Sequence, residues 1–271
     1  MPKLQFFYSK GFSSLELVKL ICKSPTILHR SLENRLIPTL IYLDNLFQSS
    51  GLTVAAIKCS PFFLQNDVQT CIAPTVDVLR GICVPDRNIV LFLRTRSHFY
   101  STSLDAFKET VEAVKDMGFD IASSQFIIAV NAKELGRPNW ESKVDIYLRR
   151  WGWSEEEFAA AFRKCPMCMI ASKEKIMAVM DFLVNKMGLE SSAIAKRPDV
   201  ICLSMEKRFI PRAAVFHFLL SKGLIKSENI NLFTLFKCPE KTFMRKFVYS
   251  YDEAPELLKL YQEKLSLSKM T

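Results

Sequence analysis

Apolar residues recur along this chain about every 3.6 positions, as at Leu32, Leu36, Leu40, Leu43 and Phe47, or at Ile176, Met180, Leu183 and Met187. That is the spacing of one face of a helix, and no segment alternates convincingly as a strand would. A slower period lies over it. Seven of the eight glycines are followed at once by a large apolar residue: Gly11-Phe12, Gly51-Leu52, Gly81-Ile82, Gly118-Phe119, Gly152-Trp153, Gly188-Leu189 and Gly223-Leu224. Their steps are 40, 30, 37, 34, 36 and 35 residues. Prolines keep the same period independently at Pro25, Pro61, Pro166, Pro198 and Pro239, with Ser97 filling the slot after Pro61.

Three residues after a slot comes Leu28, Leu64, Tyr100, Met169 or Ile201, and six after it Ser31, Asp67, Ser103, Ser172 or Ser204. Each of the latter is a good N-cap whose side-chain oxygen can take an orphan amide hydrogen, so a helix is predicted to start there. Pro38, Pro74 and Pro211 fall inside those helices and predict a kink, because each removes a backbone donor. Glycine then closes the first helix. A shorter second helix follows, opened by capping boxes at Ser13 with Glu16 and at Ser154 with Glu157. Such a hairpin has an apolar face it cannot bury alone, so neighbours must stack. The expected fold is an all-α solenoid superhelix, a single domain over residues 1–271, of about seven hairpins of roughly 35 residues each. A non-repetitive bundle does not explain three residue classes in one register.

Residues 1–10 read as the end of a first helix whose beginning lies upstream, so a truncated N-terminal repeat is expected. The unit around residues 131–139 is irregular, which predicts a weaker central module. After Pro239 the pattern loosens, and residues 252–264 read as a closing amphipathic helix.

Composition adds a candidate partner. With 49% apolar residues the chain can fill a core. Its net charge of +9 is uneven: residues 1–135 carry 14 Lys and Arg against 12 Asp and Glu, and residues 136–271 carry 23 against 16. A cationic half attracts polyanions, nucleic acid or anionic lipid, although solubility alone would give the same balance. The longest apolar runs, such as 89–93 and 213–220, are far too short to cross a bilayer, and no membrane partner is expected. The opening residues read as neither a secretory leader nor a transit peptide. The eight cysteines are expected to be reduced and buried; only Cys165 and Cys168 have motif spacing, and no second ligand pair lies near enough for a metal site. No cofactor is expected. There is no glycine-rich phosphate loop or dinucleotide fingerprint, and Glu155, Glu156 and Glu157 fill the first turn of a helix, where they favour its dipole rather than acid or base chemistry.

The position of the charge is more informative than its sum. Just before each proline slot, at the end of the second helix, stand Lys23, Lys58, Arg94 with Arg96, Arg163 with Lys164, Lys196 with Arg197, and Lys237. Two explanations stay open. Cations at helix C-termini offset the macrodipole locally, and equivalent positions in a solenoid also line up along one edge as a stripe suited to a phosphate backbone. Further cations lie on first helices and connectors: Arg137, Lys143, Arg149, Arg150, Lys173, Lys175, Lys207, Arg208 and Arg212. The candidate nucleic-acid contacts are the stripe together with Arg149, Arg150, Lys207, Arg208 and Arg212. Trp140, Trp151 and Trp153 nearby are either base-stacking platforms or hairpin core.

With this repeat, and with the runs Phe6-Phe7-Tyr8-Ser9-Lys10-Gly11-Phe12, Arg150-Trp151-Gly152-Trp153-Ser154-Glu155, Asp181-Phe182-Leu183-Val184-Asn185-Lys186-Met187-Gly188 and Leu220-Ser221-Lys222-Gly223-Leu224-Ile225-Lys226, the sequence resembles the mitochondrial transcription termination factor family, mTERF, and its plant branch in particular. The resemblance covers essentially the whole chain. It implies modules of two α-helices and a short 3-10 piece, import into mitochondria or chloroplasts, and non-enzymatic binding of organellar DNA or RNA that controls transcription, its termination or intron splicing. Other organellar gene-expression proteins are possible partners, and a monomer is expected. The competing reading is a helical-repeat scaffold that holds other proteins in the same groove.

Overall fold

The computed structural model describes residues 2–65, 67–95 and 103–267. Among them no strand occurs; the fold is all-α, built from the expected hairpins. The chain forms two compact units, 1–137 and 138–271, and the boundary falls in the irregular stretch around residues 131–139. In the first unit the hairpins pair Pro2–Ser9 with Ser14–Lys23, Ile37–Phe47 with Ser50–Cys59, Ala73–Gly81 with Asp86–Thr95, and Leu104–Asp116 with Ser124–Gly136. In the second, Trp140–Asp145 pairs with Glu155–Lys164, Lys173–Asp181 with Ser191–Ala195, and Ile210–Ser221 with Leu232–Lys237. The helix Ala254–Leu267 follows. Short 3-10 pieces begin at Pro25, Pro61, Pro166 and Pro198. Ser97 and Tyr100 lie outside the described residues.

The cap signals hold in detail. Ser31, Asp67, Ser103, Ser172 and Ser204 each accept a hydrogen bond from an amide two or three residues on, and both capping boxes close. The glycine register holds at Gly11, Gly118, Gly152, Gly188 and Gly223, all with positive φ. It fails at Gly51 and Gly81, which sit inside helices; Gln48 and Cys83 take the left-handed position there instead. At Cys83 the amide donates to Arg80 O (2.8 Å) and the next amide to Leu79 O (3.0 Å), the same double bond that Gly223 and Leu224 make with Leu220 and Leu219.

The prolines inside first helices come with a widened turn. Each of Pro38, Pro74 and Pro211 follows a five-residue π-turn, Leu32–Leu36, Val68–Ile72 and Met205–Phe209, so the helix widens ahead of the missing donor. Thr39 and Thr75 then donate their hydroxyls back to Arg35 O (2.8 Å) and Cys71 O (3.1 Å), four residues earlier on the same helical stretch. Two first helices without this proline put the π-turn at their C-terminal end instead, at Ile146–Arg150 and Phe182–Lys186, as does the short helix Glu240–Phe243 at Met244–Val248, whereas Leu104–Asp116 has none.

The core of each unit lies between hairpins. In the first, Leu36, Leu43, Ile57, Ile72, Leu79 and Phe92 are fully enclosed; in the second, Tyr147, Phe162, Met169, Leu183, Ile201 and Phe236 are. Leu28 departs from its counterparts Leu64, Met169 and Ile201, standing 41% exposed while Ile27 is buried in its place.

Candidate nucleic-acid interface

Each second helix ends where a proline connector begins. Ser24, Ser60, Cys165 and Arg197, the residues before Pro25, Pro61, Pro166 and Pro198, all leave the helix with φ between −150° and −131°. The proline ring disfavours helical backbone in the residue ahead of it, which fixes the helix end there. Basic residues one or two places earlier therefore sit in the last turn, beside unsatisfied carbonyls. Lys23, Arg94, Arg163, Lys164, Lys196, Arg197 and Lys237 are exposed there, and Lys58 is half-buried. Arg96 lies outside the described residues.

Their partners differ. Lys58 reaches back to Glu16 Oε1 (2.6 Å) and lies 5.7 Å from the Phe12 ring. That ammonium, with the Ser13 amide and hydroxyl, pulls the Glu16 carboxyl down to about 2. Lys164 Nζ donates to Lys196 O (2.7 Å), so one second-helix end is tied to the next without losing its charge. Arg197 stacks on Phe233 with its guanidinium carbon 5.6 Å from the ring centre. Lys237 pairs with Asp199. Lys23 stands with Lys58, Glu16, Lys19 and Leu20 around a cavity of about 140 Å³.

On the first helices, Arg149 and Lys207 are exposed, Arg149 paired with Asp145 at 3.1 Å; Arg150 is exposed with its guanidinium 6.0 Å from the Trp151 ring. Arg208 is half-buried, donating to Cys238 O at 3.1 Å. Arg212 must be withdrawn from the candidate contacts. It is 0% exposed and donates to Leu235 O (2.8 Å), Phe236 O (3.1 Å), Cys238 O (2.8 Å) and Glu240 Oε2 (3.1 Å), with its guanidinium over Phe243. A buried guanidinium has no face left for phosphate. Lys143 is likewise buried, its ammonium on Met169 O (2.8 Å), and enclosure together with the charge of Lys173 pushes its pKa down.

Lys143 and Arg208 belong to a set not foreseen as a set. Lys143, Lys175 and Arg208 lie 32 and 33 residues apart, the repeat's own period, and donate to Met169 O, Cys202 O and Cys238 O on the following connectors. In the second unit a first-helix cation thus ties each hairpin to the connector that follows it by a backbone carbonyl. The spacing was the signal.

Trp140 and Trp153 are core: Trp140 meets Phe162 edge-on at 5.2 Å, and Trp153 stacks on Tyr147 at 4.6 Å with its indole N–H on Ser191. Trp151 is partly exposed, but its indole nitrogen is enclosed without a partner. The cysteines also depart from expectation, since only Cys168 is buried; Cys22, Cys59, Cys83 and Cys202 are exposed and the rest half-buried. Among the described residues no group of three or more His, Cys, Asp or Glu could hold a metal, and no helix is long and apolar enough to cross a membrane.

Capped hairpins at a period near 35, proline connectors and cation-tipped second helices define an all-α repeat protein. The chain belongs to the mTERF family, whose model matches residues 1–144 and 138–244. Over 134 residues it is 25% identical to the mitochondrial transcription termination factor MTERF15 of Arabidopsis thaliana. The match takes in 49% of this chain and 30% of that protein, so the chain spans well under half the length of the curated relative it matches.

Proposed function

We propose that this chain binds nucleic acid through the second-helix edge of its repeats, without catalytic chemistry of its own, and serves organellar gene expression at the level of transcription termination or intron splicing. The observation that carries the reading is the edge at Arg163, Lys164, Lys196 and Arg197: exposed cations at consecutive helix ends, with Lys164 held on a carbonyl rather than a carboxylate. Membership of the mTERF family and the name of the Arabidopsis relative support the same direction. They also favour mitochondria, with the chloroplast as the alternative, and organellar DNA or RNA as the partner. Arg150, Lys207 and Lys237 add to the exposed cations of the same unit, and Lys23 and Arg94 occupy the equivalent helix ends in the first unit.

The test is a salt titration of binding to double-stranded DNA, single-stranded RNA and an organellar intron, for the wild type and for the variant with Arg163, Lys164, Lys196 and Arg197 replaced by Ala. Affinity should fall steeply with salt, and the variant's salt slope should drop by about one for each phosphate that is no longer neutralised. Binding that is unchanged in the variant, or flat with salt, sinks the proposal and favours a protein-binding scaffold.

A further inference from the structure

The sequence pairs Cys165 with Cys168 by spacing, but the fold pairs Cys165 with another residue. Cys168 is 1% exposed and points into the core. Cys165 lies with its sulfur 3.9 Å from that of Cys202, 37 residues on and in the next connector. Both positions are reachable, Cys165 half-buried and Cys202 exposed. Two staples hold their connectors together: Lys164 on Lys196 O (2.7 Å) and Lys175 on Cys202 O (3.0 Å). The pair is therefore preorganised, with the sulfurs roughly 2 Å beyond bonding distance.

The surroundings favour a thiolate on one member only. Cys202's thiol donates toward Cys165, the amides of Cys168 and Met167 face the same sulfur, and the Lys237 charge adds to them, drawing the Cys165 thiol down to about 6. Donation to Cys165 and partial burial push Cys202 up. An accessible thiolate beside a resident thiol is the arrangement of an attacking and a resolving cysteine.

We propose that Cys165 and Cys202 form a thiol oxidation site that a hydroperoxide closes to an inter-repeat disulfide and a dithiol reopens. The Cys165 thiolate attacks one peroxide oxygen; the sulfur–oxygen bond forms, the oxygen–oxygen bond breaks, and the leaving oxygen takes a proton to become water. The sulfenic acid then meets Cys202, which gives its proton to solvent and attacks the same sulfur. The sulfur–sulfur bond forms and hydroxide leaves as water once protonated. Two thiols and one hydrogen peroxide thus become one disulfide and two waters.

The full chain, reduced and then exposed briefly to hydrogen peroxide, tests this by thiol counting in denaturant and by non-reducing peptide mapping. Of the eight thiols, two should disappear together and return with a dithiol, and the peptide holding Cys165 should be found linked to the one holding Cys202. Trypsin leaves Cys165 and Cys168 on one peptide, so variants separate them: Cys168→Ser should keep the link, while Cys165→Ser should abolish it. Cys202→Ser should leave a sulfenic acid that a dimedone-type probe traps. The wild-type map stands on its own should a variant fold poorly. A link surviving in Cys165→Ser, a disulfide between other cysteines, or Cys165 oxidised while Cys202 stays a thiol would each overturn the proposal.

Discussion

The two compact units handle their basic side chains differently. In residues 1–137, cations reaching from one hairpin to another mostly end on carboxylates: Lys10 on Asp44 at 3.8 Å, Lys58 on Glu16, and Arg35 on Asp67, with Lys3 on Leu28 O as the exception. In residues 138–271 they mostly end on backbone carbonyls, as Lys143, Lys164, Lys175, Arg208 and Arg212 do, although Lys237 keeps Asp199, and Arg208 (3.8 Å) and Arg212 (3.1 Å) also meet Glu240. Either partner holds a side chain in place, but only a carboxylate cancels its charge. The first unit carries 15 Lys and Arg against 12 Asp and Glu, the second 22 against 16. Fixing cations on carbonyls lets the second unit be held together by them and still present positive potential.

The largest expected effect follows from the carbonyl staples. Replacing Arg212 by Met fills the space but leaves the carbonyls of Leu235 and Phe236 without the guanidinium donor, while Cys238 O keeps Arg208. At about 1–3 kcal/mol for each of these two buried groups left unsatisfied, a loss of at least about 2 kcal/mol is expected. Lys58→Met, which breaks a half-exposed ion pair, should cost under about 1 kcal/mol. Urea denaturation of both variants measures the difference through the midpoint at unchanged slope. Equal losses would erase the distinction between the two kinds of partner.

The next effect probes the carboxylate side. Glu16, held to about 2 by Lys58 and the Ser13 cap, has a folded pKa below its unfolded value. Its contribution to stability is therefore fully present above the ordinary carboxylate range and is lost as pH falls toward 2. Following the Glu16 carboxyl by NMR should give a midpoint near 2 in the wild type and a clear upward move in Lys58→Ala. The Ser13 hydrogen bonds keep the variant's midpoint below an unperturbed glutamate's. A midpoint indifferent to Lys58 would remove the pairing from the comparison.

Much of the fold was legible because its signals are local. A serine that caps, a proline that lacks a donor and a glycine that tolerates positive φ act through the backbone beside them, so Ser31, Asp67, Ser103, Ser172 and Ser204 could be read in one dimension. Gly51 and Gly81 misled for a related reason: the left-handed turn is a backbone state, and Gln48 and Cys83 adopt it two or three residues away. The candidate interface was legible only in part. Whether a cation faces water or a carbonyl depends on what the next hairpin brings against it. Arg212 and Arg208 are four residues apart on one helical stretch, yet one is sealed and the other is not. The Cys165–Cys202 approach was hidden similarly, since CxxC spacing drew attention to a pair that faces different environments.

The smallest effect tests the two ways of closing a first helix. Cys83 holds φ of +65°, where an L side chain costs roughly 1–2 kcal/mol, and glycine would give back part of that relief by its greater freedom in the unfolded chain. Cys83→Gly should therefore stabilise the protein by about 0.5–1 kcal/mol. Gly152→Ala should do the reverse by about 1 kcal/mol, because its φ is +72° and an added Cβ meets nothing within 4 Å, leaving backbone strain as the cost. Cys83→Ala separates the two contributions, since it removes the thiol while keeping the strain. Thermal unfolding of the three variants should rank Cys83→Gly above the wild type and Cys83→Ala near it. A drop in both Cys83 variants would mean that the thiol's own contacts, rather than tolerance of the turn, keep cysteine at this position.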